Sequence, residues 1–426
     1  MKHRSYPTLI LCLSLTLWSC SDLEDPVFDE NGVAIGLPHL WKAPLTNNDD
    51  LAGEIIVTPI VYGEGNILLG SNRDGQRRII SLDADNGMLN WEWDDMEGLV
   101  ARPDYKGPIF IDRRAYHLND NLLFFNYRTS SFCIDLNTGR TLWKYESDRD
   151  RASNNGGIGD TYFSSGASPI AGFLEPVREE GIYVGNMNSS NEEQLLLNPV
   201  YTTVDFPLFN GALNSMAAFE NDGQVYLAFG IENPSPSNSP TQRGPTELNL
   251  YNITEGKYVY EKISIDARTI TDLHYQAPNL YFRSSSYVHC YNAITGDEIW
   301  RTDIADDVFP SGIILVDNKL YTISDEDLSC VDATTGSLLW ENNFYEGLST
   351  ELSYLNGVLY FLGGGDLHAV DGQTGNQLWK ISSLDRQTNE AAWFQGVCIA
   401  VPGKNGNKGV IVATTGLNAY AYEAAR

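Results

Sequence analysis

Cys330-Val331-Asp332-Ala333-Thr334-Thr335-Gly336, followed four residues later by Trp340, is a unit that the chain repeats. The same pattern runs from Cys133-Ile134-Asp135-Leu136-Asn137-Thr138-Gly139 to Trp143 and from Cys290-Tyr291-Asn292-Ala293-Ile294-Thr295-Gly296 to Trp300. It returns from Ala369-Val370-Asp371-Gly372-Gln373-Thr374-Gly375 to Trp379, and from Ser81-Leu82-Asp83-Ala84-Asp85-Asn86-Gly87 to Trp91. From Gly256 onward the turn glycines recur after 40, 40 and 39 residues, a period that means propeller blades or another stacked array.

One unit reads as four short strands. Residues 350–355 lead to an Asn356-Gly357 turn, then Val358-Leu359-Tyr360-Phe361-Leu362, a Gly363-Gly364-Gly365-Asp366 turn, residues 367–370, a turn over 371–375, and a last strand over 377–381. Asn-Gly between apolar runs signals a hairpin because both residues accept positive φ. In Asp-x-x-Thr-Gly the carboxylate can accept N–H groups of its own turn, and Gly takes the left-handed position that closes it. Leu359-Tyr360-Phe361 is apolar on both faces, as expected of a sheet with neighbours on both sides. The Trp after each turn then falls on the outermost strand, where an indole can fill the widening gap between blades.

Counting units gives an all-β, eight-bladed propeller of four-stranded blades. Blades are expected to end at Trp91, Trp143, near Asp205, at Tyr260, Trp300, Trp340, Trp379 and Trp41. The third is placed on residues 168–171, 181–184 and 200–206, and Tyr260 stands where Trp would be in the fourth. The C-terminal copy Ala419-Tyr420-Ala421-Tyr422-Glu423-Ala424 stops before its Trp, and His39-Leu40-Trp41-Lys42 supplies the missing outer strand, closing the ring without an open sheet edge. Seven blades is the alternative if residues 150–260 hold one blade and an excursion. Residues 147–165 read as a long connection between blades, and the Pro-, Ser- and Asn-rich residues 233–246 as a solvated loop.

The run Ala/Cys-x-Asp-x-x-Thr-Gly-x-x-x-Trp resembles the repeat of the quinoprotein-type (PQQ-like) propellers, over nearly all of residues 36–426. That family includes quinone-dependent alcohol dehydrogenases and the lipoprotein of the β-barrel assembly machinery. The resemblance implies a central channel and an interblade face. In the enzymes it also implies a quinone stacked on a disulfide of adjacent cysteines, with Glu, Asn and Asp around calcium. No two cysteines are adjacent here and no Cys-x-x-Cys-His offers a haem, so neither PQQ nor calcium is expected as a cofactor.

The N-terminus reads as an address. Lys2, His3 and Arg4 precede an apolar core over residues 8–18 that is too short to span a bilayer. Leu17-Trp18-Ser19-Cys20 resembles a bacterial lipoprotein box, departing from it at Trp18, which makes residues 1–19 a signal peptide and Cys20 the lipid attachment site. Ser21-Asp22-Leu23-Glu24-Asp25 resembles the acidic tether of surface lipoproteins of the Bacteroidetes, and residues 20–35 are read as a flexible tether. Periplasmic and surface-facing placements on the outer membrane both remain open. Removing residues 1–19 takes away Lys2 and Arg4 and moves the net charge from −28 to −30, which repels nucleic acid and anionic lipid. Cys133, Cys290 and Cys330 share one repeat position, far apart around a ring, and read with Cys398 as free buried thiols rather than a disulfide or a metal site.

No catalytic motif emerges: there is no His-Glu-x-x-His, Gly-x-Ser-x-Gly or phosphate loop. His289 and His368 share a repeat position filled elsewhere by Phe132 and Ser329, which reads as a tolerant blade surface. The interblade connections carry Asp94, Asp95, Asp385 and a candidate partner-binding set: Arg102, Asp104, Arg151, Asp303, Asp306, Asp307, Arg386 and Trp393. Arg and Trp are the side chains that most often anchor interfaces. The reading is a monomeric, non-catalytic outer-membrane lipoprotein, held to the membrane by its N-terminal lipid and binding an envelope protein or complex, with outer-membrane protein assembly as the implied setting. A quinone- or metal-dependent oxidoreductase with a degenerate site is the alternative, and a surface glycan-binding module is a third reading.

Overall fold

Each repeat folds into an antiparallel sheet of four strands, and eight such sheets form a β-propeller. The computed structural model describes residues 27–28, 34–46, 59–63, 65–73, 76–95, 116–127, 130–146, 150–167, 179–189, 194–201, 212–234, 243–265, 270–271, 273–304, 312–324, 326–344, 351–387, 393–404 and 408–426. Blade 1 comprises Ile60–Tyr62, Asn66–Arg73, Gln76–Asp83 and Leu89–Trp93. Blade 2 comprises Tyr116–Asn119, Leu122–Tyr127, Ser130–Asp135 and Arg140–Glu146. Blade 3 is built from Asp150–Ile158, Thr161–Ala167, Glu179–Asn186 and Gln194–Tyr201. Blade 4 is built from Ala212–Asn221, Gln224–Pro234, Arg243–Asn252 and Lys257–Ile265. Blade 5 uses His274–Gln276, Asn279–Arg283, Tyr287–Asn292 and Glu298–Asp303. Blade 6 uses Ile313–Val316, Lys319–Ile323, Asp327–Asp332 and Leu338–Asn343, and blade 7 Ser353–Leu355, Val358–Gly363, Asp366–Asp371 and Gln377–Ser382.

Blade 8 takes Ile399–Val401, Val410–Thr414 and Asn418–Glu423 from the C-terminus and His39–Pro44 from the N-terminus. Trp41 faces Ala421 and Lys42 faces Tyr420 across this antiparallel seam, so the expected closure by an N-terminal strand is present. The core is distributed around the ring. Among the described residues each pair of successive blades encloses its own apolar cluster, from Leu68, Phe125 and Phe132 between blades 1 and 2 to Ile67, Val412 and Ala421 between blades 8 and 1.

The repeat motif explains how one blade locks to the next. Asp332 Oδ1 accepts the backbone N–H of Thr334 at 3.0 Å and of Thr335 at 2.8 Å, and Asp371 does the same for Gln373 and Thr374. Gly336 has φ of 74° and lies beneath the Trp300 ring of the preceding blade, so a Cβ there would fall 2.7 Å from the indole. Gly139 stands likewise beneath Trp91, and Gly375 beneath Trp340. The indole N–H then donates to the next turn: Trp41 to Ala84 O at 2.7 Å, Trp91 to Leu136 O at 2.8 Å, Trp143 to Met187 O at 2.8 Å. Tyr260 takes the same place, its hydroxyl 3.2 Å from Ala293 O. A β-bulge between the third and outer strands re-aims these rings. Trp300 faces Cys290 but Glu298 faces Tyr291, so Ile299 is the extra residue and points to solvent.

Five expectations change. Residues 147–165 are not a connection: Asp150–Ile158 and Thr161–Ala167 are the first two strands of blade 3. Asn154-Asn155-Gly156-Gly157 looks like a turn, but inner strands crowd toward the axis, and a Cβ on Gly157 would fall 2.4 Å from the His117 ring of blade 2. The outer strand of blade 3 is Gln194–Tyr201, earlier than residues 200–206, and residues 168–171 and Asp205 lie outside the described residues. The segment 233–246 is partly sheet, since Glu232 pairs with Thr246 and Pro234 with Arg243. The stretch read as a tether contains strands Val27–Phe28 and Ala34–Gly36, which extend blade 7 with Ala34 beside Trp379 in parallel. The outer strand of a sheet offers backbone groups to which a passing segment can bond. Finally, His289 and His368 are buried rather than superficial, stacked on Phe282 and Phe361 at 4.8 and 4.9 Å, as Phe132 stacks on Phe125.

Candidate functional site

The turn between the second and third strands of blade 7 meets the chain that leaves blade 7 for blade 8. Gly364 and Gly365 have φ of 58° and 84°, a reversal that only two left-handed residues make so tightly. Phe394 N donates to Gly365 O at 3.0 Å, and a Cβ on Gly365 would lie 2.7 Å from Trp393 Cβ. Phe394 points inward, edge-on to Tyr420 and Tyr422 at 6.1 Å each. Its neighbour Trp393 is thereby held outward with 41% of its surface exposed. The two kinds of loop meet in this sector.

Arg386 lies on the same connection, in a short 3-10 turn, Leu384–Gln387. Asp385 beside it is not the rim charge expected from the sequence. It is 6% exposed and accepts Lys42 Nζ at 2.9 Å, Thr415 Oγ1 at 2.8 Å, Asn418 Nδ2 at 2.6 Å and the Tyr420 hydroxyl at 2.6 Å. Burial pushes this carboxyl up, but the donors from Tyr420, Lys42, Asn418 and Thr415 prevail and hold it below the usual range. Its work is to fasten the closing strand beneath the candidate surface.

The other candidates spread around the ring. Asp303 is exposed at the end of the outer strand of blade 5, opposite Tyr287, whose ring carries the Arg301 guanidinium 5.1 Å from its centroid. Arg151 lies in the inner strand of blade 3 opposite Gly166, not in a loop, because that strand begins earlier than its sequence suggests. Arg102, Asp104, Asp306 and Asp307, and Cys20, the residue expected to carry a lipid, lie outside the described residues.

Sequence reasoning also missed Arg283. It is 1% exposed, and its guanidinium donates to Thr322 Oγ1 at 3.0 Å and to the Ile323 carbonyl of blade 6. The available signal was a cation ending the apolar run Leu280-Tyr281-Phe282. A recess of about 120 Å³ beside it is lined by Arg283, Ile304, Thr322, Ser324, Asp327 and Ser329. It falls short of the roughly 300 Å³ at which small-molecule pockets begin.

Cys133, Cys290, Cys330 and Cys398 are free and buried, as expected. Burial pushes the Cys133 thiol up to about 12 and Cys290 and Cys330 up to about 11, so none of these three is a thiolate at neutral pH. His289 is pulled down to about 3 by burial and by Arg301, leaving it neutral. What the described residues present is therefore an exposed indole at Trp393 and, two blades away, an exposed carboxylate at Asp303, groups suited to recognition.

The chain is an eight-bladed β-propeller, a third of which matches a PQQ-like family. Residues 284–425 match the family described as PQQ_2, outer membrane protein assembly factor BamB. No curated protein sequence matches the chain. The crystal structure of BamB from Moraxella catarrhalis is similar in fold at 13% identity and TM-score 0.52, over 91% of this chain and 99% of that one. A europium-containing methanol dehydrogenase is similar at 11% identity and TM-score 0.59, over 89% and 85%. A computationally designed protein, Ika8, is similar at 12% identity and TM-score 0.56, over 89% and 99%. An assembly factor, an enzyme and a designed protein share this ring, so function must be argued from the site.

Proposed function

We propose that the chain is a non-catalytic, protein-binding propeller of the cell envelope. It is tethered to the outer membrane through Cys20 and captures an envelope protein on its interblade face. The observation that carries this reading is the position of Trp393, held outward from the blade 7–8 connection within the very segment, residues 284–425, that matches the assembly-factor family. Arg386 in the same connection and the exposed Asp303 add charge of both signs. Such a rim sets partner choice and association rate, while the aromatic contributes affinity. The wild-type protein and Trp393→Ala, immobilised and exposed to envelope extract, test the reading: a protein captured by the first and lost by the second is the expected result. Loss of capture in the presence of added glycans would favour the glycan-binding reading. Saturable binding of PQQ with calcium, with dye-linked alcohol oxidation, would replace it with the oxidoreductase.

A further inference from the structure

Asn356-Gly357 makes the two-residue turn between the first two strands of blade 7, with Leu355 paired to Val358 on either side. Both turn residues are left-handed, at φ of 51° and 82°. Asn356 is exposed, and its side-chain amide reaches across to blade 8. Its Nδ2 donates to Lys408 O and to Arg426 O, each at 3.0 Å. Further contacts fasten the same stretch of chain. Ala424 N donates to Gly409 O at 3.0 Å, Ala425 N to the Tyr360 hydroxyl at 2.9 Å, and the Arg426 guanidinium pairs with Asp371. Residues 424–426 thus run from blade 8 onto blade 7 and are pinned there. The Gly357 N–H is itself directed at the Tyr354 hydroxyl. Asn86-Gly87, the other such pair whose Asn side chain is described, keeps to its own turn. There Asn86 Oδ1 accepts Met88 N at 2.8 Å, and Gly87 N donates to Asp83 O at 2.8 Å.

We propose that Asn356 is a site of spontaneous deamidation, and that its conversion unfastens residues 424–426 from blade 7. The residue after it decides the chemistry, because Gly357 has no side chain to shield its nitrogen. Gly357 N attacks Asn356 Cγ, the new C–N bond closes a succinimide ring, and the Cγ–Nδ2 bond breaks. The Gly357 proton leaves with Nδ2 as ammonia. Water then opens the ring at Cγ to give aspartate, or at the main-chain carbonyl to give isoaspartate, whose backbone runs through Cβ and Cγ. The exposed turn admits that water and releases the ammonia. The contacts of the closed seam hold the reaction back, since Nδ2 is bound to two carbonyls and the attacking nitrogen faces Tyr354. Conversion is one-way. A carboxylate has no proton to donate to Lys408 O or Arg426 O and repels both. The new charge also competes with Asp371 for Arg426, whose Nη1 would lie 3.7 Å from a Cβ on Gly357.

The full chain is incubated at neutral pH, digested at intervals, and the peptide carrying residue 356 is followed by mass spectrometry. A synthetic peptide of residues 354–359, Tyr-Leu-Asn-Gly-Val-Leu, is the unrestrained reference. Asn356 should convert in the folded chain, more slowly than in the peptide. Deleting residues 425 and 426 removes one acceptor and should speed conversion about fivefold, the opening that one net hydrogen bond provides. If the shortened chain fails to fold, Tyr354→Phe, which removes only a hydroxyl, serves instead. Conversion at Asn86, read from the same digests, should not change in either variant. Asn356→Asp reads the consequence: hydrogen exchange at Ala425 should quicken at least about fivefold. An Asn356 that stays intact while the reference peptide converts fully would overturn the proposal. So would equal rates in the chain and both variants, or an Asn356→Asp chain in which Ala425 exchanges as in wild type.

Discussion

Lys42 Nζ lies 2.9 Å from Asp385 Oδ1, an ion pair between residues 343 positions apart that joins the closing strand to the connection entering its own blade. The two partners contribute unequally. The Lys42 side chain is 41% exposed against 7% for Asp385, so the charge contact itself is worth at most about 1 kcal/mol. Asp385 also satisfies Thr415, Asn418 and Tyr420, and removing it strands those buried donors. Asp385→Ala should therefore lower unfolding free energy by about 3–5 kcal/mol, and Lys42→Met by about 1 kcal/mol or less, in denaturant titration. Similar losses for both would mean that the pair, and not the hydrogen-bonded cluster, closes the ring.

The same carboxylate sets an acid limit. Its pKa in the folded chain is held below the unfolded value of about 3.9, so its contribution is complete above that value and drains away as pH falls through the folded pKa. Melting temperature should be flat for this group down to about pH 4 and fall below it. In Asp385→Asn the acid-side fall should be shallower, and an unchanged slope would assign the acid sensitivity to other carboxylates.

The interblade locks make a further test. Trp340 covers Gly375 and donates to Gly372 O at 3.2 Å, so Trp340→Ala removes a ring wedged between blades and should cost about 3–5 kcal/mol. Gly336→Ala places a methyl where the Trp300 ring lies and forces a left-handed Ala, at about 1–2 kcal/mol for the backbone alone. A Gly336→Ala protein that melts with wild type would show that the ring shifts freely and that the lock is loose.

Eight blades could be read because five copies carry the turn Asp-x-x-x-Gly, with Asn292 for Asp in one, and its Trp together, and those residues lock blade to blade. Blade 3 resisted because its third-to-outer turn is Asn186-Met187-Asn188. There Asn186 Oδ1 accepts the N–H of Asn188 at 2.8 Å and Met187 O receives Trp143, the same roles in other residues. Its inner strand was hidden by Asn154-Asn155-Gly156-Gly157, where glycine answers to the crowding of His117 rather than to a turn. Asp385 looked like one more loop carboxylate because its partners lie at both ends of the chain. Trp393 was picked out as the one large aromatic among the connections, and the structure leaves it 41% exposed.

The anchor can be tested separately from the ring. Cys20 alone among the cysteines follows an apolar run and a small residue, Ser19. Cys20→Ser should move the protein from the membrane fraction to the soluble envelope fraction without changing its melting temperature. A variant that stays membrane-bound and unprocessed would remove the lipoprotein reading while leaving the propeller untouched.

The interblade face calls for variants that separate affinity from steering. Trp393 is exposed and its backbone is held by Phe394, so Trp393→Ala should leave the fold within about 0.5 kcal/mol of wild type. If the indole is an interface anchor, the same change should weaken partner capture by about 2 kcal/mol or more, roughly thirtyfold. Arg102→Ala should weaken capture in the same direction. Neutralising Asp303, Asp306 and Asp307 together acts on the field around the face. It should flatten the dependence of association rate on ionic strength while changing capture at high salt little. Binding kinetics at low and high salt distinguish the two effects. Capture by all of these variants that equals wild type would move the binding surface off the interblade face, and residues 233–246 of blade 4 would be the next segment to alter.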